Sequence, residues 1–451
     1  MLRLHDTATG SVRPLELRDP GKVAMYVCGP TVDNVPHLGH GRFALVFDVL
    51  RRYLEWRGLE VHYVSNITDI DDKIINRANE EGCTTGEVVA RYEAAWWEAM
   101  DGLGVRRPDA DPHATAYIDQ MVRLVADLVA QGSAYETSDG VYLAVDGVEG
   151  YGLLARQSLE SLRAGARVDV DEQKRSEHDF VLWKRAKPGE PSWESPWGAG
   201  RPGWHTECVV MSLDLLGEDF DIHGGAVDLP FPHHENERAQ AVALGRRFAR
   251  HWVHNGWVMA GGEKMSKSAG NFTSLTDLLE RVDGRAYRLL VLQSHYRSPL
   301  EITEDTTAQA TAALERLDNL VRRAAEMAVA DVAAEPAAIE RFRSVMDDDL
   351  YTAGAMALLF DLVRGANSAL DEGDTTGAAP LVAAVRELSA AVGLTLGHGD
   401  DELDAETAAL VARRDQARAQ RQWAEADAAR EELVGRGWVV EDTPVGTRVR
   451  R

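Results

Sequence analysis

The sequence has little cysteine, no long hydrophobic run and no excess of positive charge, and each absence excludes a class of protein. Its 451 residues include three cysteines, Cys28, Cys83 and Cys208. That number is too small, and odd, for a disulfide framework, so we expect free thiols or metal ligands in a reducing compartment. No apolar run approaches the ~18 residues of a membrane helix, and residues 1–6 turn polar too early for a signal peptide. We therefore expect a cytoplasmic protein without membrane contact.

Acidic side chains outnumber basic ones by 73 to 49, which gives a formal net charge of −24. Such a charge argues against a polyanionic partner for the chain as a whole. Residues 411–451 differ, because nine arginines against seven acids give this segment a charge of +2. The segment is a candidate surface for phosphate contacts. The alternative is a solvated helix with internal ion pairs.

Hydrophobic patterning predicts an α/β fold followed by helices. Strands are expected at 23–28 and 60–64, on either side of a helix over 41–57, which makes a βαβ crossover of a doubly wound sheet. Helical periodicity covers 74–131 with a break at Pro108 and Pro112, a proline- and glycine-rich loop covers 187–204, and helices dominate from about 276 to nearly 435. The expected fold class is a Rossmann-type catalytic domain followed by an all-helical C-terminal half. We place the catalytic domain at 1–275, with an insertion at about 130–200.

The segment His37-Leu-Gly-His40 falls between a predicted strand and a predicted helix. Two histidines three residues apart at the start of a helix face the same side, where backbone N–H groups and the helix dipole favour an anion. Gly39 allows a ligand to approach the backbone closely. Because the sequence lacks the P-loop pattern Gly-x-x-x-x-Gly-Lys-Ser/Thr, this segment is the candidate triphosphate site. Ordinary turn chemistry at a helix start is the alternative.

A second candidate for phosphate binding is the glycine- and serine-rich segment 261–271, which carries Lys264 and Lys267. Two lysines on such a loop can neutralise charge that develops on phosphate groups. The alternative is a solvated loop with no ligand.

A set of metal-binding residue types is spread over the first half of the chain. Cys28 ends a predicted strand, Cys208 follows a Trp-His-Thr-Glu segment, and His233 and Glu237 are spaced to project from one face of a helix. Thiolate, imidazole and carboxylate are the ligands that tetrahedral Zn²⁺ takes. His234 is an alternative to His233, and burial as small hydrophobic residues is the alternative for the cysteines.

The segment 66–73, Asn-Ile-Thr-Asp-Ile-Asp-Asp-Lys, follows the second predicted strand. Polar groups at the carboxyl end of a strand lie where open α/β sheets bind ligands. Helix capping by Thr68 and Asp69 is the alternative.

Taken together, these segments resemble the cysteinyl-tRNA synthetases, a family of class I aminoacyl-tRNA synthetases, and the resemblance runs essentially end to end. It rests on MYVCGPTV (25–32), HLGHGR (37–42), NITDIDDK (66–73), GAGRPGWHTEC (198–208), FDIHGG (220–225), FPHHENE (231–237), EKMSKS (263–268), HYRSPL (295–300), MDDDL (346–350) and the tail segment 423–448. The resemblance implies a stem-contact-like connecting region at 276–320, a helical bundle at 321–400 and a tRNA anticodon-binding module at 401–451.

The resemblance further implies a ligase that forms cysteinyl-adenylate from L-cysteine and ATP and transfers cysteine to the 3′ end of tRNA(Cys). The implied catalytic residues are His37, His40, Lys264 and Lys267, with Gly39, His40 and Lys267 contacting ATP and Mg²⁺ accompanying it. The implied ligands of one Zn²⁺ per subunit are Cys28, Cys208, His233 and Glu237, and the implied substrate contacts are Thr31, Trp204, His223 and Asp228. We expect a monomer.

Two other functions are weighed against this one. A ligase of the mycothiol pathway resembles the catalytic half but joins cysteine to an amino sugar and lacks the anticodon-binding tail. A catalytically inactive paralogue with a binding or regulatory role would use the same fold. The family-like tail argues against the first, and the intact histidine, lysine and candidate metal residues argue against the second.

Overall fold

A computed structural model describes residues 1–157, 174–260, 263–264, 273–397, 405–443 and 446–450. Within these ranges, helices long and apolar enough to span a membrane are absent. The first half of the chain contains β1 (Arg3–Asp6), β2 (Ser11–Pro14), β3 (Lys22–Val27), α1 (Leu38–Trp56), β4 (Glu60–Ser65), α2 (Asp72–Glu81), α3 (Thr85–Gly102), α4 (Ile118–Ala130), β5 (Ala134–Glu136), β6 (Gly140–Leu143), β7 (Phe180–Arg185), β8 (Gly200–Pro202), α5 (Trp204–Leu216), β9 (Ile222–Ala226), α6 (Glu235–Ala243) and β10 (His251–Asn255).

The second half of the described chain is mainly helical. It contains β11 (Val258–Ala260), β12 (Glu263–Lys264), α7 (Leu275–Leu279), α8 (Gly284–Leu292), β13 (Leu300–Glu301), α9 (Glu304–Glu326), α10 (Pro336–Met346), α11 (Thr352–Asp371), α12 (Thr375–Ala391), α13 (Ala405–Ala419), α14 (Trp423–Gly435), β14 (Val439–Thr443) and β15 (Gly446–Arg450). The expectation of helices nearly to residue 435 is therefore confirmed. The antiparallel ribbon of β14 and β15 that follows was not predicted.

A four-stranded parallel sheet in the order β4-β3-β9-β10 organises the first half. Strand β3 is central, and its run of apolar residues is buried, as expected for a parallel strand covered on both faces. From β3 the chain crosses through α1 to β4 on one side, and β9 pairs with β3 on the other side. The carboxyl end of β3 is thus a topological switch point, the place where sheets of this kind bind ligands.

The first βαβ unit lies where it was predicted, but some of its boundaries differ. The strands expected at 23–28 and 60–64 are β3 and β4, whereas α1 begins at Leu38 instead of residue 41 because His37 caps it. The helical stretch expected over 74–131 is three helices, since Gly82 ends α2 in a left-handed conformation and Thr84 caps α3. The loop expected over 187–204 contains β8 and ends before Trp204, which begins α5.

The residues between α4 and α5 form a second sheet, antiparallel, in the order β5-β6-β7-β8. This sheet occupies the region expected to be an insertion at about 130–200, of which residues 158–173 lie outside the described residues. Lys184 on β7 lies with its ammonium nitrogen 2.8 Å from the Asp72 carboxylate at the start of α2. Arg201 on β8 pairs with the same carboxylate. Asp72 therefore links the parallel sheet's α2 to the inserted sheet.

The C-terminal segment has a hydrophobic cluster of its own. Leu410 and Leu433 come from α13 and α14, and Trp438, Val440 and Val449 come from the ribbon. The cluster is distinct from the large core that α1, α8 and the helices of the bundle share. The segment from α13 to β15 is therefore a small packed module.

A buried ion pair joins α1 to α8. The Arg288 guanidinium donates to the Asp48 carboxylate at 2.6 Å, and both side chains are about 1% exposed. Arg288 also donates to the backbone carbonyls of Leu103, Gly104 and Val392 at 2.9–3.3 Å, so one side chain connects α1, the end of α3 and the end of α12. Burial by itself raises the pKa of Asp48, but the charges of Arg288 and Arg52 outweigh burial and hold it below the usual value.

We expect Arg288→Met to destabilise the chain strongly, because the substitution removes a buried partner of Asp48 and the donor to the carbonyl groups of Leu103 and Val392. Breaking a buried ion pair costs on the order of 3–5 kcal/mol. The measurement is the midpoint of the main transition in scanning calorimetry, with Arg281→Met as the control. Arg281 is exposed and, among the described residues, donates only to the Asp277 carbonyl of α7, four positions before it, so its loss is expected to cost less than about 0.5 kcal/mol. Equal effects of the two substitutions would contradict the structural role of Arg288.

Candidate functional site

A cleft of about 620 Å³ opens at the carboxyl edge of the parallel sheet. Its walls come from the end of β3, the start of α1, the start of α2, the start of α5 and the ends of β9 and β10. The predicted site residues that line it are Cys28, Thr31, His37, Gly39, His40, Trp204 and Asp228. Lys73, Trp96, Asn255 and Trp257 line it as well.

The two histidines at the start of α1 form a reciprocal cap. His37 Nδ1 accepts from the His40 N–H at 3.2 Å, and His40 Nδ1 accepts from the His37 N–H at 3.3 Å. The imidazole rings stack with centroids 3.7 Å apart, and the edge of Trp96 packs against His40. A neutral imidazole that accepts at Nδ1 carries its proton on Nε2. Each ring therefore has a donor nitrogen at a helix N-terminus, which suits phosphate oxygens.

Gly39 is needed between the two histidines. A Cβ atom at this position would lie 2.8 Å from Cε1 of His37, so a larger residue would displace the capping imidazole. The structure thus gives a steric reason for the glycine in addition to the ligand approach expected from the sequence.

The candidate metal residues converge beneath the cleft although they come from four separate elements. Cys28 follows β3, Cys208 lies on α5, and His233 lies in a π-helical turn, Pro230–His234, that leads into α6 and Glu237. The donor atoms of these four residues lie within 4.8 Å of one another. The two sulfur atoms are 3.5 Å apart, and His233 Nε2 is 3.1 Å from the Glu237 carboxylate. All four side chains are buried.

A second set of ligands fits equally within 4.8 Å and shares two members with the first. It consists of Cys28, His223, His234 and Glu237. His223 Nε2 donates to the Glu237 carboxylate at 2.8 Å, and His234 Nε2 is 4.0 Å from the same carboxylate. The sequence left the choice between His233 and His234 open, and in the structure it is a choice between two sets of ligands. The set with His233 has two sulfur atoms and one imidazole, and the set with His234 has one sulfur atom and two imidazoles.

The electrostatics of this cluster fit a metal cation. Burial, the hydrogen bond between the thiols and the Glu237 charge raise the pKa of Cys28 well above its usual value, and burial also raises the pKa of Cys208. Burial holds the pKa values of His233 and His234 well below theirs. Nε2 of each histidine makes no hydrogen bond of normal geometry with a described residue, although Nε2 of His233 lies 3.1 Å from the Glu237 carboxylate. Two buried imidazole nitrogens without a proton donor, beside a carboxylate, are suited to hold a metal ion.

The sequence did not identify the residues that hold these ligands in place. His205 Nδ1 lies 2.8 Å from Nδ1 of His233, and Trp204 stacks on the His233 ring with centroids 3.9 Å apart. Burial lowers the pKa of His205 to about 4, so this ring is neutral near pH 7. Both residues belong to the quoted segment 198–208, but their role depends on α5 lying against the π-helical turn. Proximity in the sequence gives no sign of that contact.

His223 was expected to contact substrate. In the structure it is buried next to the cleft and does not line it, so a substrate contact of His223 stays a prediction. Its side chain is fully buried, stacks on Trp252 with centroids 4.7 Å apart and is hydrogen-bonded to Glu237. Next to it, His234 Nδ1 lies 2.9 Å from Nε2 of His254. The other ring nitrogen of His254, Nδ1, lies 2.7 Å from the Thr7 hydroxyl. His223 is therefore placed to orient Glu237 and is absent from the lining residues of the cleft.

The segment 66–73 supports the cleft from the side of β4. The Asn66 side-chain oxygen accepts from the Gly29 N–H at 2.9 Å and from the Tyr26 hydroxyl at 3.0 Å. A Cβ at Gly29 would lie 1.6 Å from the Asn66 carbonyl oxygen, so only glycine permits this approach. Thr68 donates to the buried carboxyl of Glu207 at 2.9 Å, and burial raises the pKa of that carboxyl well above its usual value.

Capping of α2 by Thr68 and Asp69 was the alternative interpretation of this segment, and it is wrong. The cap is Asp71, whose carboxylate accepts from the backbone N–H of Lys73 at 2.9 Å. Asp69 instead accepts from the backbone N–H of Thr115 at 2.9 Å and from its hydroxyl.

Most of the predicted lysine loop lies outside the described residues. The backbone of Lys264 belongs to β12, which pairs antiparallel with β11 in the register Met259–Lys264. Lys267 lies outside the described residues, as does the side chain of Lys264. Strand β11 begins at Val258, which lines the cleft.

Comparison with known proteins gives matches along nearly the whole chain. The family model for "tRNA synthetases class I (C) catalytic domain" matches residues 14–312, a DALR domain matches 341–397, and the "Cysteinyl-tRNA ligase anticodon binding domain" matches 400–450. A curated cysteine–tRNA ligase of Halorhodospira halophila is 48% identical over 461 residues, covering 100% of both chains. One of Carboxydothermus hydrogenoformans is 44% identical over 464 residues, again with 100% of both chains covered.

Among solved structures, a Mycobacterium tuberculosis methionyl-tRNA synthetase in complex with methionyl-adenylate is similar in fold. The TM-score is 0.62 and the sequence identity 16%, with 90% of this chain and 96% of that chain covered. At this identity the likeness concerns the fold alone.

Metal binding distinguishes the two sets of ligands. We expect the protein to bind one Zn²⁺ per chain through the set with two sulfur atoms, because thiolates are the preferred ligands of closed zinc sites. Loss of a residue that only supports a metal ligand weakens metal binding by about 10- to 100-fold. Because Cys208 would be a ligand itself, Cys208→Ser should weaken zinc binding by more than that. His234→Gln should retain the metal, since an amide can still bond to His254. Zinc content after dialysis against a chelator measures both variants. Retention by Cys208→Ser together with loss in His234→Gln would select the other set.

Proposed function

Because the chain belongs to the class I cysteine–tRNA ligase family, we propose that it activates L-cysteine with ATP to cysteinyl-adenylate and transfers the cysteine to tRNA(Cys). The observation that carries this proposal is the placement of two buried cysteines, a histidine and a glutamate directly beneath a cleft whose wall is the histidine-capped start of α1. One site thus combines groups that suit a thiol with groups that suit a triphosphate. The product serves protein biosynthesis.

The nucleotide end of the cleft is assigned to the start of α1. His37 and His40 hold their Nε2–H groups at a helix N-terminus, where they would stabilise the charge that develops at the α-phosphate. Gly39 keeps the two rings in place. Lys264 and Lys267 would contact the β- and γ-phosphates, with Mg²⁺ accompanying ATP. Phosphoryl-group chemistry of this kind depends mainly on positioning and on electrostatic stabilisation.

The amino-acid end is assigned to the cluster of Cys28, Cys208, His233 and Glu237. We infer that the metal is zinc, because two sulfur ligands with one imidazole and one carboxylate form the soft donor set that Zn²⁺ takes. When bound, zinc supplies a position that prefers a thiolate sulfur to a hydroxyl oxygen. Serine differs from cysteine by one atom, and the shape of a pocket yields only about 1–3 kcal/mol for so small a difference. The donor set therefore supplies selectivity that pocket shape cannot.

Other residues of the chain shape the pocket around the amino acid. Thr31, Trp204 and Asp228 line the cleft and are assigned to its wall and to contacts with the amino group. Trp204 also fixes the His233 ring by stacking. His223 is assigned to orienting Glu237. We further propose that the protein acts as a monomer in the cytoplasm.

The alternative of an amino-sugar ligase is not favoured, since the C-terminal module from α13 to β15 is present and matches an anticodon-binding domain. An inactive paralogue is not favoured either, because the two histidines of α1 and all four candidate metal residues occupy one site.

The proposed activity is tested by cysteine-dependent exchange of pyrophosphate into ATP and by charging of tRNA. We expect exchange with cysteine to exceed exchange with serine by a factor greater than the about 10–200 that pocket shape alone can provide. Charging of a tRNA with the cysteine anticodon should accompany it, and a tRNA for another amino acid is the control. Absence of exchange with the zinc-loaded protein would refute the proposal. Exchange without charging would favour the amino-sugar ligase.

Removal of the C-terminal module should separate the two steps. A chain that ends at Gly397 lacks the module but keeps every residue assigned to ATP, metal and cysteine. Because the module has its own hydrophobic cluster, the remainder should fold, and cysteine-dependent exchange should stay within about twofold of the full chain. Charging should fall steeply, and its dependence on salt should become weaker because phosphate contacts are lost. Charging at the full rate by the truncated chain would contradict a role of the module in tRNA binding.

A further inference from the structure

The segment 66–73 ends with four charged residues, Asp69, Asp71, Asp72 and Lys73, that the proposed mechanism does not use. Each of the three carboxylates is already engaged. Asp69 accepts from Thr115, and Asp71 accepts from the backbone at the start of α2. Asp72 is held by Lys184 and Arg201 of the inserted sheet. The acids of this segment therefore serve the structure.

The state of Asp72 matters most, since it is the direct neighbour of Lys73. Partial burial opposes ionisation of Asp72, but the hydrogen bond from Lys184 and the charge of Arg201 outweigh it and keep the pKa below the usual value. The carboxylate is thus ionised near pH 7 and directed to two cations of β7 and β8. It is not available to neutralise the lysine that follows it.

Lys73 lines the cleft and is exposed. Among the residues that the structure describes, none forms an ion pair or a hydrogen bond with its ammonium group, although Asp69, Asp71 and Asp72 are all within four positions in the sequence. Lys73 is also in the first turn of α2, where the helix dipole disfavours a cation. An ammonium group placed against the helix dipole, without a carboxylate and inside a binding cleft, is suited to an anionic ligand.

We propose that Lys73 is a phosphate-binding residue of this cleft. The inference rests on the proposed function, which brings two kinds of phosphate into the cleft: those of ATP, and the phosphodiester that precedes the 3′-terminal adenosine of tRNA. Both present the same chemistry to an ammonium group. The ion pairs of Asp72 fix the start of α2 against β7 and β8, so Lys73 stands at the junction between the parallel sheet and the inserted sheet.

The test replaces Lys73 by methionine, which keeps the length of the side chain and removes the charge. Two reactions are measured with the zinc-loaded full chain. Cysteine-dependent pyrophosphate exchange reports on ATP, and single-turnover transfer from preformed cysteinyl-adenylate to a tRNA with the cysteine anticodon reports on the 3′ end. Loss of one charge-assisted contact should lower kcat/KM or the transfer rate by about 10- to 100-fold.

The two sources of phosphate give different results. A fall in exchange with a higher KM for ATP assigns Lys73 to ATP, whereas unchanged exchange with slower transfer assigns it to the 3′ end of tRNA. Lys73→Arg should restore more than half of the lost activity in either case, because it restores the charge. Both reactions within twofold of the unsubstituted chain for Lys73→Met would overturn the proposal.

Lys22→Met is the matched control. Lys22 is an exposed lysine at the opposite edge of the same sheet, at the start of β3, where its ammonium nitrogen is 3.3 Å from the Glu60 carboxylate. This variant should leave both reactions unchanged. The unsubstituted chain shows which proposal fails. If it has no cysteine-dependent exchange, the proposed function is wrong. If it is active and Lys73→Met is equally active, only the assignment of Lys73 is wrong.

Discussion

The buried ion pair between Asp48 and Arg288 fixes the helix on which the site depends. Helix α1 carries the capped histidines at its start and Asp48 in its middle, so its position decides where His37 and His40 lie relative to the sheet. The same helix is held by Arg42, whose buried guanidinium donates to the backbone carbonyls of Trp257 and Tyr296. A long helix packed only by apolar contacts could shift along its axis. Directional bonds from two buried arginines prevent that movement.

The cleft has a buried metal cluster at its base and exposed side chains at its mouth. At the metal cluster burial keeps the thiols protonated and the imidazoles neutral, because charge without a counter-ion is costly inside the protein. Binding of a cation removes that cost, so the thiols and imidazoles become ligands when the metal binds. At the mouth, Trp204 and Lys73 remain exposed. They can therefore meet a substrate without first losing water from a closed pocket.

The sequence predicted the parts of the site that follow from strand ends and helix starts. Cys28 after β3 and His37 before α1 are placed by the βαβ unit itself, and the periodicity of that unit is strong. The sequence could not choose between His233 and His234, because the choice depends on a π-helical turn that rotates two adjacent side chains toward different partners. The sequence also could not predict that His223 is buried against Glu237 and does not line the cleft, because this depends on how β9 and α6 pack together.

Capping shows the same limit on a smaller scale. Any of the three aspartates after β4 can cap a helix by composition alone, and the one that does so, Asp71, is selected by the distances to Thr115 and to the inserted sheet. The support of His233 by His205 was beyond the sequence for a related reason, because it joins two elements separated by β9. Local rules thus predicted the elements, and the contacts between elements determined the roles.

The separate hydrophobic cluster of Leu410, Leu433, Trp438, Val440 and Val449 has a thermodynamic consequence. A unit whose apolar contacts are its own loses them in a cooperative event of its own. The chain then has no single free energy of unfolding, because the module from α13 to β15 and the larger body each have one. Ligands of the cleft raise the melting temperature of the body alone, and contacts with RNA at the module raise that of the module. The small module and the larger body of one enzyme thus respond separately to heat.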